Sequence, residues 1–126
     1  MIKMVKRDSC GCAVERKYAS DFLTRRFYVL EGGGGYKKIG RVELGDGRWF
    51  ELYTKDGEIR YKASECPLVI IGLEVLLEAR EEGNLTQENW KEVLSKVKGL
   101  QVNSVLEKVG RELTGMIYFE ESSVHS

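Results

Sequence analysis

The hydrophobic and polar positions change period once along the chain, at Pro67. Between Tyr36 and Ala63 they alternate with a period of two, the signature of half-buried antiparallel strands. Tyr36 to Leu44 predicts one strand, Arg48 to Thr54 a second and Ile59 to Ala63 a third. Gly45-Asp46-Gly47 and Lys55-Asp56-Gly57-Glu58 lie between them, and Asp-Gly is the chemistry of tight hairpin turns because both residues accept positive φ. The alternation assigns faces. Ile59, Tyr61 and Ala63 oppose Arg60 and Lys62; Phe50 and Leu52 oppose Trp49, Glu51 and Tyr53; Lys37, Ile39 and Arg41 oppose Lys38, Gly40, Val42 and Leu44. The pairing register decides which aromatics face solvent.

Beyond Pro67 the period becomes helical. Proline suits a first helical turn, and a helix is predicted from Pro67 to about Glu82, closed by Gly83. Leu68, Val69, Ile70, Ile71, Leu73, Val75, Leu76 and Leu77 make it apolar nearly all round, so it is buried on several sides or lies in an interface. A second helix follows the cap Thr86 and runs to about Lys98, with Trp90, Val93, Leu94 and Val97 as its stripe. A third runs from Gln101 to about Leu113, with Val102, Val105, Leu106, Val109 and Leu113 on one face. Thr114-Gly115 reads as a turn into a short strand, Met116-Ile117-Tyr118-Phe119, and Glu120 to Ser126 as a loose tail.

The start of the chain is less regular. Residues 1–19 show no clear period, although Cys12 to Tyr18 alternates weakly, as an edge strand would. In 20–31, Phe22, Phe27 and Leu30 nearly share a helical face with Ser20 as a cap, while Arg26 to Leu30 has the composition of a strand. The strand is preferred for that last part because a hairpin-like partner follows. Gly32-Gly33-Gly34-Gly35 predicts a mobile hairpin loop. It lacks the Lys-Ser/Thr and the following helix of a phosphate-cradling loop. The expectation is an α+β single domain over 1–126. It has an irregular segment at 1–19, an antiparallel β-meander of three to five strands within 25–63, three helices within 67–113, a short C-terminal strand and a loose tail at 120–126.

Charge divides at the same place as the period. Residues 1–64 hold 14 Lys and Arg against 9 Asp and Glu, and residues 65–126 hold 6 against 11, so the zero formal net charge conceals a basic half and an acidic half. At 42% apolar and 32% charged, the chain has enough for a core and a well-solvated surface, a balance also met in compact thermophile proteins. No run approaches the roughly 18–20 apolar residues of a membrane span, and the first residues lack the apolar core of a signal peptide. The expected setting is therefore intracellular, with no membrane partner.

Residues for catalysis are scarce. His125, the only histidine, stands next to the chain end, so no triad or dyad is built around it, and no enzyme activity is expected. Cys10, Cys12, Cys66 and His125 could supply three sulfurs and a nitrogen to a metal, but their spacing lacks the paired C-x2-4-C of zinc sites. No metal or cofactor is expected; a disulfide from Cys10 or Cys12 to Cys66 is the other pairing the sequence allows. Glu74, inside the most apolar helix, is the carboxyl group of most chemical interest, and such a residue more often faces the one wet edge of its helix.

Basic residues interleaved with aromatics on a sheet suit single-stranded nucleic acid, since bases stack on rings while cations follow the backbone. Arg25, Arg26, Tyr36, Lys37, Arg41, Arg48, Trp49, Tyr53, Arg60 and Lys62 are the candidates. A second expectation is a winged-helix-like duplex DNA binder using the helix at 101–113, with Gln101, Asn103, Ser104, Lys108 and Arg111 facing a major groove. A third is an assembly module without nucleic-acid affinity, and the apolar girth of the first long helix suggests a homo-oligomer, a dimer being the simplest.

Leu85-Thr86-Gln87-Glu88-Asn89-Trp90-Lys91-Glu92-Val93-Leu94, placed after a meander, resembles the sheet-to-helix junction of the transcriptional-coactivator family of single-strand-binding proteins. That resemblance implies a sheet that binds single strands. A helix intervenes here where that family passes straight from strand to helix, so no binding residue is carried over. In length and in its Glu-, Lys- and Val-rich style, the chain also resembles small proteins of hyperthermophilic archaeal viruses of the Pyrobaculum spherical virus type. This would place it in a host cytoplasm and implies no function.

Overall fold

The computed structural model describes residues 6–7, 13–14, 18–31 and 34–124, with side chains described for 18–31 and 34–118. In chain order the elements are β1 (Lys6–Arg7), β2 (Ala13–Val14), α1 (Ala19–Thr24), β3 (Lys37–Gly45), β4 (Arg48–Lys55), β5 (Glu58–Ala63), α2 (Pro67–Glu81), α3 (Trp90–Ser95) and α4 (Ser104–Val124). β1 and β2 form a small antiparallel pair, and β3-β4-β5 form a three-stranded antiparallel sheet in sequence order. The α+β class and the meander are as the alternation predicted.

Both sheet turns are two-residue loops. Asp46 and Gly47 have φ of 53° and 75°, and Asp56 and Gly57 have φ of 52° and 85°. Positive φ at both central positions matches the twist of the flanking strands, which is why Asp-Gly is found there. The turns set Gly45 against Arg48 and Lys55 against Glu58. Phe50, Leu52, Ile59 and Tyr61 consequently point together into the core.

β3 departs from simple alternation. Its register shifts between Lys38 and Gly40, and again between Glu43 and Gly45. The first bulge places Lys38 opposite Tyr53 and Arg41 opposite Glu51, so both cations share the outer face. Ile39 turns with Gly40 toward α4, where both meet the surroundings of Met116. The expected grouping of Ile39 with Arg41, against Lys38, is thus corrected. A glycine inside a strand is itself a bulge signal. Here Gly40 also makes room, because a Cβ on it would stand 2.8 Å from Met116 Sδ.

α2 is the central element, touching α1, α3, α4, β4 and β5. Every residue from Val69 to Leu77 is buried. Its apolar circumference is therefore taken up inside one chain. Glu74 is fully buried in this helix, not placed at a wet edge. Its carboxyl oxygens accept from the Phe27 amide at 2.8 Å, the Tyr28 amide at 3.0 Å and the Tyr61 hydroxyl at 2.9 Å. A buried polar group needs such partners, and they explain how the helix tolerates it.

Residues 19–24 take the helical option, and the segment after them is extended. The Leu30 amide donates to the Tyr61 carbonyl at 2.8 Å, and the Tyr61 amide donates to the Tyr28 carbonyl at 3.0 Å. The strand-like stretch thus lies parallel along β5, with Val29 bridged to Tyr61, instead of forming a hairpin with β3. Ser20 sits inside α1. The N-terminal amide there, from Tyr18, is taken by the Asp21 carboxylate at 3.0 Å.

The helices after α2 also differ in extent from the sequence pattern. Thr86 Oγ1 accepts the amides of Glu88 and Asn89, and Asn89 Oδ1 accepts the Thr86 amide, so 86–89 form a locked turn and α3 starts at Trp90. Asn103 Oδ1 accepts the Leu106 amide at 3.0 Å, which starts α4 at Ser104 and not at Gln101. α4 then continues to Val124, so the expected strand at 116–119 is helical, as is the expected tail as far as 124. The reason is packing. Leu106, Val109, Leu113 and Ile117 are all buried at helical spacing, and Thr114 satisfies its hydroxyl on the Gly110 carbonyl at 2.8 Å. Strand propensity in Met116 to Phe119 yields to that continuous stripe.

Candidate nucleic-acid interface

The outer face of the meander is the side turned away from the helices. The register places Lys38, Arg41 and Glu43 of β3 there, with Trp49, Glu51, Tyr53 and Lys55 of β4 and Glu58, Arg60 and Lys62 of β5. Tyr36, just before β3, joins its far end: its hydroxyl donates to Glu58 at 2.9 Å. Trp49 and Tyr53 are half-buried, neither core nor fully exposed. Each ring carries a cation. The Arg41 guanidinium lies 4.4 Å from the Trp49 ring centre, and Lys62 Nζ lies 5.4 Å from that of Tyr53. Such contacts hold cations over aromatic faces. Four residues of strand separate the two rings by about 13 Å at roughly 3.3 Å per residue.

Glu51 is the centre of this face. It accepts from the Tyr53 hydroxyl at 2.7 Å, from Arg41 Nη1 at 2.9 Å and from Lys38 Nζ at 3.2 Å. Its side chain is only 12% exposed, whereas those of Lys38 and Arg41 are 49% and 40% exposed. The Tyr53 hydroxyl, ahead of Arg41 and Lys38, holds the Glu51 carboxyl at a pKa of about 2 against the opposing pull of burial. Reciprocally, Glu51 pushes the Tyr53 hydroxyl above its ordinary value. Arg41 also pairs with Glu43, and Arg60 pairs with Glu58 at 3.3 Å. Among the described residues no carboxylate lies within ion-pair reach of Lys62.

Of the ten candidates read from the sequence, Arg41, Trp49, Tyr53, Arg60, Lys62 and, at its end, Tyr36 come together on this face. Lys37 stands opposite Thr54, on the other side of the sheet. Arg48 also turns inward, pairing with Asp46 at 3.5 Å and donating to Cys66 Sγ at 3.3 Å. Arg25 and Arg26 lie at the end of α1, where Arg26 Nε donates to the Leu23 carbonyl and Nη1 reaches Glu65 at 4.0 Å. Sequence reasoning missed Lys38, which the bulge brings outward, and Glu51 as the hub. Gly40 was the available signal for the first. The Glu51–Tyr53 spacing of two along a strand was the signal for the second.

The other site of chemical interest is Cys66, the residue before α2. It borders a cavity of about 410 Å³ lined by Asp46, Gly47, Arg48, Ser64, Glu65 and Pro67. Burial pushes its thiol up, but the Val69 amide, Arg48 and the Leu68 amide outweigh this and hold it below the ordinary cysteine value. Cys10, Cys12 and His125, the other residues of the four-ligand pattern, lie outside the described residues. Among the described residues no group of three His, Cys, Asp or Glu could hold a metal ion, and no helix is long and apolar enough to cross a membrane.

No family model, curated protein or solved structure matches the chain.

Proposed function

We propose that this is a non-enzymatic protein that binds single-stranded nucleic acid through the outer face of the β3-β4-β5 meander. The observation that carries the reading is the pairing of Trp49 and Tyr53 with cations on the solvent side of the sheet. Rings and guanidinium planes accept any base by stacking, at about 1–3 kcal/mol per base. Lys38, Arg41, Lys55, Arg60 and Lys62 outnumber Glu43, Glu51 and Glu58 on this face, which suits a phosphate backbone.

The duplex reading through α4 has less support. Asn103 is engaged as the α4 cap, and among the described residues no strand follows α4 to serve as a wing. The experiment is fluorescence anisotropy with labelled single- and double-stranded oligonucleotides at about 50 and 200 mM salt, a range over which phosphate contacts weaken strongly. Salt-sensitive single-strand binding is expected, weakened about tenfold by Tyr53→Ala and further by Lys62→Glu, but not by Lys108→Glu on α4. Duplex preference abolished by Lys108→Glu would transfer the function to α4. No binding at low salt would remove both readings and leave an assembly module.

A further inference from the structure

Lys38 Nζ, Arg41 Nη1 and the Tyr53 hydroxyl converge on one point of the outer face, and all three direct donors at it. Two cations and a hydroxyl arranged this way form a seat for one phosphate oxygen group. That seat is occupied by the protein itself: the Glu51 carboxylate fills it at 3.2, 2.9 and 2.7 Å. Glu51 is the least exposed charge of the cluster, while the two cations keep about half their surface in solvent. The donors are thus accessible, and their common acceptor is internal.

We propose that Glu51 acts as a built-in competitor for backbone phosphate, holding the centre of the binding face in a self-neutralised state. This rests on the reading of the outer face as a single-strand site and assigns its regulation. An incoming phosphodiester must displace Glu51 from Lys38 and Arg41, so these two cations contribute little to affinity in the resting protein. Contact then falls chiefly on Lys62, beside Tyr53, and on the aromatic stacking. Affinity in the unmodified chain stays salt-sensitive through its remaining cations but falls below that of the freed face, with a salt slope smaller by the contact Glu51 withholds, because counterions are released only where phosphate replaces them.

The test is anisotropy with a labelled oligothymidylate across a salt series, comparing the unmodified chain with Glu51→Gln, Glu43→Gln, Lys38→Gln and Lys62→Gln. Removing the competitor should tighten Glu51→Gln binding about tenfold at low salt. It should also steepen the logarithmic salt slope by about 0.7, the increment of one further single-strand phosphate contact. Glu43→Gln, which removes the same charge beside the seat but not in it, should change affinity about twofold or less. In the Glu51-containing protein Lys38→Gln should lose less affinity than Lys62→Gln, and this comparison stands even if Glu51→Gln folds poorly. Equal or weaker binding by folded Glu51→Gln would overturn the inference while leaving the single-strand site in place. Equal tightening by Glu43→Gln would also overturn it, in favour of a diffuse charge effect. If the unmodified chain and every variant fail to bind, the site itself falls, and the competitor role with it.

Discussion

Gly110→Ala and Gly115→Ala are the same substitution on the same helix, and the structure predicts opposite outcomes. In a helix interior, alanine is favoured over glycine by about 1 kcal/mol. Gly115 has nothing within 4 Å of where its Cβ would stand, so it should show most of that gain, about 0.5–1 kcal/mol. Gly110 packs against the indole of Trp90. A Cβ there would lie 2.2 Å from Cε3, 2.6 Å from Cδ2 and 2.8 Å from Cζ3. Carbon atoms at rest stand about 3.5–4.0 Å apart, so the ring must withdraw by more than 1 Å. It is a rigid group wedged between α3 and α4, with no flexible end that can yield. Overpacking of this kind costs roughly 1–3 kcal/mol, and the severity of the overlap places Gly110→Ala at the upper end. Subtracting the propensity gain leaves a net destabilisation of about 2 kcal/mol. Urea unfolding followed by circular dichroism measures both variants, with midpoints moving in opposite directions and the slope unchanged. Adding Trp90→Leu should remove most of the Gly110→Ala penalty, because the two sites are coupled through one contact. A Gly110→Ala protein as stable as Gly115→Ala would refute the seating of Trp90 on α4.

Two further outcomes follow from buried and clustered carboxyl groups. Glu74→Ala removes the acceptor shared by the Phe27 amide, the Tyr28 amide and the Tyr61 hydroxyl. It should lower stability by about 3–5 kcal/mol in denaturant unfolding, since each donor that loses its buried acceptor costs about 1–3 kcal/mol; a loss under about 1 kcal/mol would contradict that bonding. Glu51 has a folded pKa of about 2, below its ordinary 4.5. Its contribution is therefore fully present above pH 4.5 and is lost as pH falls from there toward 2. Acid unfolding of Glu51→Gln should show a shallower decline across that window, and an unchanged acid limb would count against the cluster.

Local chemistry was legible in the sequence wherever one residue type answers one backbone demand. Asp46-Gly47 and Asp56-Gly57 announced their turns because few other pairs take positive φ twice, and the turns in turn set the faces of Phe50, Leu52 and Tyr61. The apolar girth of 68–77 announced a central helix, but not what would cover it; α1, α3 and α4 do so from one chain. Features that depend on distant partners were not legible. Whether Met116 to Phe119 is strand or helix is decided by Ile117 continuing a stripe begun at Leu106. Arg26 to Leu30 reads as a strand, but its pairing partner, β5, lies some thirty residues away. On the outer face the ring–cation alternation was visible, yet the bulge at Lys38–Gly40 exchanged Lys37 for Lys38. Arg48, next to Trp49 in β4, falls on the side of Phe50 by simple alternation, so its inward turn was legible in the sequence.

The hydrogen bonds of Glu74 reach across 47 and 46 residues to the backbone of Phe27 and Tyr28. If the segment running along β5 were to peel away, the buried Glu74 carboxyl would lose both backbone amides that it holds there and keep the Tyr61 hydroxyl of β5. Detaching that flank carries the cost of two unmet hydrogen bonds at a buried carboxyl, which couples the opening of the 27–30 segment to that of α2. Residues 26–30, read from the sequence as a strand awaiting a hairpin partner, are thus tied to the central helix as well as to β5.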